Sequence, residues 1–74
     1  MQNEQHWDER ARNLLKAELT RRGISYEDLR VALENIGIHK TVANINTTIN
    51  RGRFSFIFFL QVAEAIRLEQ IRLN

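Results

Sequence analysis

"SYEDLRVALENIGIHKTVANINTTINRGRF", Ser25 to Phe54, decides how this chain folds. It opens as a helix start. The Ser25 hydroxyl can accept from the backbone N–H three positions on, and Glu27 and Asp28 put negative charge at the positive end of the helix dipole. Leu29, Ala32, Leu33 and Ile36 recur at helical spacing, which predicts a helix over 26–36 with one apolar face. Gly37 ends it, because glycine takes the left-handed backbone of a helix stop at no steric cost. Thr41 is the next cap candidate. It opens a helix predicted over 41–51, with Val42, Ile45 and Ile49 turned inward and Gly52 as its stop.

Upstream, Trp7, Ala11, Leu14, Leu15 and Leu19 predict a helix over 7–22, with Arg21 and Arg22 at its negative end and Gly23 beyond it. Trp7 is expected to close the core. Downstream, "RFSFIFFLQVAEAIRL" gathers all four phenylalanines of the chain within Phe54–Phe59. As a strand it would lack a partner outside a dimer, and as a base-stacking surface its rings would not be interleaved with aliphatics. It reads as a helix capped by Ser55 over 55–68, with Phe56, Phe59, Leu60, Ala63 and Ile66 as its core face. Ile57, Phe58, Val62 and Ala65 extend the apolar surface beyond that face and are assigned to the seam of a homodimer, the equal alternative being that helix four is the central helix and is simply buried on more than one side. The expectation is an all-α fold of four to five helices, one domain over 1–74.

Composition narrows the functional classes. The chain has no cysteine, which removes disulfides and thiolate metal sites, and only two histidines, His6 and His39, far apart in sequence. No glycine-rich phosphate loop or nucleophile–base pair is visible, so an enzyme, a metal or another cofactor is not expected. "MQNEQHWDER" has neither a cationic start nor an apolar run, and no stretch is long and apolar enough to span a bilayer. A cytoplasmic protein with no membrane contact is expected. Net charge is only +2, but residues 38–53 carry Lys40, Arg51 and Arg53 with no acid at all. That window is otherwise rich in Asn and Thr, a composition suited to a phosphate-facing surface.

At about 100° per residue, Lys40, Asn44, Thr47 and Arg51 lie opposite the apolar stripe of the third helix. Asn can pair bidentately with adenine, Thr offers a hydroxyl and a methyl, and Lys or Arg reaches guanine or phosphate. Thr41, Arg53 and His39 are phosphate-contact candidates at the two ends of that helix. The stretch 25–54 resembles the helix-turn-helix of the phage repressor and Cro family. Leu29, Gly37, Ile45/Ile49 and "NRGRF" stand where that family has its helix-two leucine, turn glycine, recognition-helix aliphatics and closing "RG". Arg30 stands where those repressors carry a small residue. With Trp7, "LLKAEL", "IG" and "RGRFSFIFFLQ", nearly the whole chain is similar to a family of small bacterial domains of unassigned function with an "RGxF" motif. The resemblance implies a repressor-like helical fold. The function expected is sequence-specific binding of duplex DNA by a small transcriptional regulator. The alternative is a protein-interaction module that uses the apolar surface of helix four and binds no DNA.

Overall fold

A computed structural model describes residues 6–73, so the reading of residues 1–5 falls outside the described residues. The described chain is all-α: α1 (Trp7–Arg21), α2 (Tyr26–Asn35), α3 (Val42–Arg51) and α4 (Phe56–Ile66). Three of the four starts use a hydroxyl cap. Ser25 Oγ accepts from the Asp28 N–H at 3.0 Å, and the Asp28 carboxylate accepts from the Ser25 N–H at 3.0 Å, completing a capping box. That second bond holds the Asp28 carboxyl below its ordinary range. Thr41 caps α3 through the Asn44 N–H and Ser55 caps α4 through the Phe58 N–H, each at 3.0 Å.

Three helix ends share one turn. Ile24 N–H donates to the Leu19 carbonyl at 2.8 Å, Ile38 N–H to Leu33 at 2.9 Å and Leu68 N–H to Ala63 at 2.8 Å. Each such bond spans a left-handed residue and folds the next aliphatic side chain back toward the core. At α1 and α2 the left-handed residue is glycine; at α4 it is Arg67, with φ +59°.

Each helix gives the core an i, i+4 row: Leu15/Leu19, Leu29/Leu33, Ile45/Ile49 and Phe58/Val62/Ile66, all buried. Such rows are the ridges by which helices interlock. α2 packs on both α3 and α4, and α1 packs on α3. α2 and α3 thus form the middle of the bundle, with α4 on α2 and α1 on α3.

Helix four departs from the sequence reading. Phe58 and Val62, assigned above to a dimer seam, are 6% and 0% exposed, whereas Phe56 and Leu60, assigned to the core, are 71% and 50% exposed. The inward side is rotated from the expected one rather than reversed: Ile66 of the expected core face is buried and Phe59 packs against the core. All but two of its residues, Gln61 and Glu64, are apolar, so periodicity carries little information about which side goes in. Phe54, half-buried just before the cap, packs on this inward row, its ring 5.8 Å from that of Phe58 between centroids. Ala65 is half-buried beside that row, and only Ile57 of the four seam residues is well exposed, at 69%. Trp7 is likewise not a core residue, being 58% exposed with the Arg10 guanidinium over its ring at 5.8 Å. No described helix is long and apolar enough to cross a membrane.

Candidate nucleic-acid interface

The surface built by α3 begins with its phase. Ile45 and Ile49 face the core, Val42 and Thr48 are half-buried at the edges, and Ala43, Asn44, Thr47 and Arg51 are exposed on the opposite side. The side chains of Asn44, Thr47 and Arg51 have no intramolecular hydrogen bond or ion pair among the described residues. They stand three and four positions apart, so a straight groove could meet all three at once.

The N-terminal end of α3 is shallowly concave. His39, Lys40, Thr41 and Asn44 line an open cavity of about 420 Å³. Thr41 does its capping there, so its hydroxyl already accepts the Asn44 N–H. Lys40 is half-buried, with its ammonium 5.8 Å from the centroid of the Phe58 ring. The apolar stem of the lysine therefore lies toward the core while its charge stays within reach of solvent.

Tertiary contacts alter the charge picture drawn from the window 38–53. His39 Nδ1 lies 3.5 Å from the Glu34 carboxylate, and Arg53 Nε lies 3.6 Å from that of Asp8. Both cations are exposed, with 74% of the His39 side chain and 78% of the Arg53 side chain open to solvent, so the pairs are screened and weak. Acids from α2 and α1 nevertheless flank the two ends of the acid-free window. Lys40 and Arg51 are left as its unpaired cations among the described residues.

Asn50 behaves differently from the other amides of the helix. Its Nδ2 donates to the Asn46 carbonyl at 2.8 Å, to the Asn46 side-chain oxygen and to the Tyr26 hydroxyl at 3.4 Å, while its Oδ1 accepts from Lys16 Nζ at 3.0 Å. This network ties α1, α2 and α3 together beside the exposed face. Lys16 is a further cation at the edge of α3 that the linear reading left on helix one. Nothing in "LLKAEL" signals it, because only the crossing of α1 over the end of α3 brings it there. Arg30, the residue that stands out from the repressor pattern, sits between Glu27 at 2.8 Å and Glu34 at 3.0 Å. Its guanidinium holds the Glu27 carboxyl below the ordinary range.

Gly52 fixes where α3 ends against α1. A Cβ built there would lie 1.9 Å from the Asp8 carbonyl oxygen, and its φ is +72°. Only a hydrogen side chain allows that approach. With Trp7, Asp8 and Arg53 it lines a small cavity of about 250 Å³. The "RGR" of the sequence is therefore both a helix stop and a helix crossing.

Neither a curated protein nor a solved structure matches this chain. One family model does, described as Domain of unknown function (DUF6471), and it spans residues 7–71. From the exposed Trp7 at the head of α1 to the segment that follows α4, the fold described above is covered by that match, and the chain belongs to the DUF6471 family.

Proposed function

We propose that this domain binds duplex DNA in the repressor-like manner, with α2 and α3 as a helix-turn-helix and α3 lying in the major groove. One observation carries the reading: the outward face of α3 presents Asn44, Thr47 and Arg51 without intramolecular partners, on a helix that has no acid. Groups left unpaired on a rigid helix are pre-organised for a partner that supplies donors and acceptors, and a base edge does so. In this reading Asn44 and Thr47 meet bases, and Arg51 reaches guanine or phosphate. Lys40, His39, Thr41 and Arg53 lie at the ends of the helix, where backbone phosphates run. Acting as a regulator requires nothing further than occupancy of an operator.

The test is fluorescence anisotropy of a labelled duplex between about 50 and 200 mM salt, with slope near −0.9 per neutralised phosphate. With Glu34 and Asp8 beside His39 and Arg53, a shallow slope of about −2 to −3 is expected for the native chain. Lys40→Ala/Arg51→Ala should flatten it by about 2. A native chain that binds no duplex even at low salt removes the reading.

A second reading, a protein interface on α4, is favoured by one feature. Phe56, Ile57 and Leu60 are 71%, 69% and 50% exposed and share one side of the helix, with the Phe56 and Phe59 rings stacked at 5.9 Å. If a second copy of the chain covers this face, two α3 helices become available to two half-sites, and the two readings merge.

A further inference from the structure

A second basic cluster lies away from α3, where α1 and α4 both end. Arg21, Arg22, Arg67 and Arg72 line an open cavity of about 310 Å³ together with Glu18 and Glu69. Asp8, beside Arg53, and Arg21 are thirteen residues apart on α1, which sets the two regions about 20 Å apart along that helix.

Not all of these charges are free. Glu18 is buried, at 5% exposure, and its carboxylate takes the Arg21 guanidinium at 2.7 Å and Arg22 Nε at 3.6 Å. The Arg21 hydrogen bond is the largest of the influences that hold the Glu18 carboxyl below its ordinary range, and the Arg72 backbone adds to it. Glu18 therefore stays ionised and spends its charge inside the fold. Arg22 also donates to the Ile66 carbonyl at 3.2 Å, which answers the negative end of α4. Two arginines remain. Arg67 and Arg72 are exposed and meet no carboxylate within 4.0 Å among the described residues, Glu69 on the cavity rim included.

Arg67 also occupies a costly backbone position. The turns that end α1 and α2 have the same hydrogen bonds and place Gly23 and Gly37 at the left-handed residue, whereas α4 places Arg67 there. A helix stop alone would be served better by glycine. A strained residue whose side chain lines a cavity is the kind of outlier from which function is inferred.

We propose that this cavity binds a phosphate-type oxyanion, with Arg67 and Arg72 as its primary donors and Arg21, held by Glu18, as a third. Guanidinium groups arriving from α1, from the end of α4 and from the following segment suit a tetrahedral anion with acceptors on several sides. Arginine forks recognise such oxygens in pairs. The volume admits a phosphate group with its waters. The phosphate can come from a nucleic-acid backbone or from a free phosphate species.

The test is a titration of the ¹⁵N-labelled chain with inorganic phosphate, following the arginine Nε–Hε signals against a chloride control at equal ionic strength. Saturable shifts at Arg67 and Arg72 are expected, with Kd of about 1 mM or tighter. Arg67→Gly should weaken binding about 10-fold while its melting temperature rises, so the loss cannot be blamed on unfolding. Glu69→Gln should tighten it. Shifts no larger than those with chloride, or equal binding by Arg67→Gly, overturn the proposal. A short duplex then separates the sources. Shifts at Arg67 and Arg72 beside those at Asn44 and Thr47 identify backbone phosphate. A duplex that leaves both arginines unmoved, where inorganic phosphate moves them, identifies a free species, and this holds whether or not α3 binds DNA.

Discussion

Gly52 and Gly23 have similar left-handed backbones, φ +72° and +69°, yet a Cβ at Gly23 would meet nothing within 4 Å while one at Gly52 would strike the Asp8 carbonyl. Gly23→Ala should cost about 1 kcal/mol, the penalty of left-handed backbone for an L residue. Gly52→Ala should cost about 3 kcal/mol or more, because α1 and α3 must move apart. Urea unfolding of the two variants separates the conformational from the steric part, and equal losses would mean that the crossing is looser than described. At Glu18 the relevant variable is pH. A carboxyl held below its ordinary range by Arg21 contributes stability that is fully present above the unfolded pKa. That contribution is lost as pH falls through the folded value. Glu27 and Asp28 are displaced in the same direction, so they add to the same acid limb. The melting temperature should be level from neutral pH down to about 5 and fall below it. Glu18→Gln should lower the plateau and shallow the fall; an unchanged pH profile would show that Glu18 is not the buried anchor.

Helices were legible as elements because caps and stops are local chemistry. Ser25, Thr41 and Ser55 each accept the N–H that a cap should accept. Facing was legible only where a helix had a polar side to contrast with its apolar one. α3, with Ile45 and Ile49 against Asn44, Thr47 and Arg51, left one choice. α4 left several, because a stripe through Phe56 and Leu60 fits the period as well as one through Phe58 and Val62, and Ile66 belongs inward with either. Paired substitutions test the corrected orientation. Phe58→Ala should cost about 3–5 kcal/mol, as for a large side chain removed from a core, whereas Phe56→Ala should change stability by less than about 0.5 kcal/mol. Thermal unfolding that ranks them the other way would restore the first assignment.

Across the whole molecule, packing decides which charges and which apolar atoms reach the surface. It brings Glu34 to His39 and Asp8 to Arg53, lowering the positive potential at both ends of α3, and it brings Lys16 to Asn50 at the edge of that helix. It also leaves Phe56, Ile57 and Leu60 as an uncovered apolar face. Three side chains supply less than the roughly 800 Å² per partner of a standard stable interface. If a second copy covers this face, association should therefore be weak, with Kd of about 10–100 µM. Sedimentation of the native chain across that range should show it, and Leu60→Glu should abolish it with little loss of stability. A native chain that stays monomeric throughout assigns the face to another partner or to solvent.

By itself the sequence determined that the chain is helical, where its four helices begin, that the first three stop at glycine, and which sides of α2 and α3 face inward, apart from Ile36, which was read inward and is 40% exposed. Those properties depend on hydroxyl caps, left-handed residues and the 3.6-residue period, all of which act within a few positions of one another. Only the tertiary structure decided the inward face of α4, the exposure of Trp7, the steric role of Gly52 and the acids that flank the basic window. It alone gathered Arg21, Arg22, Arg67 and Arg72 around Glu18. Each of these depends on two segments distant in the chain meeting in space, and burial, close contact and Coulomb interaction are set by that separation rather than by the order of residues.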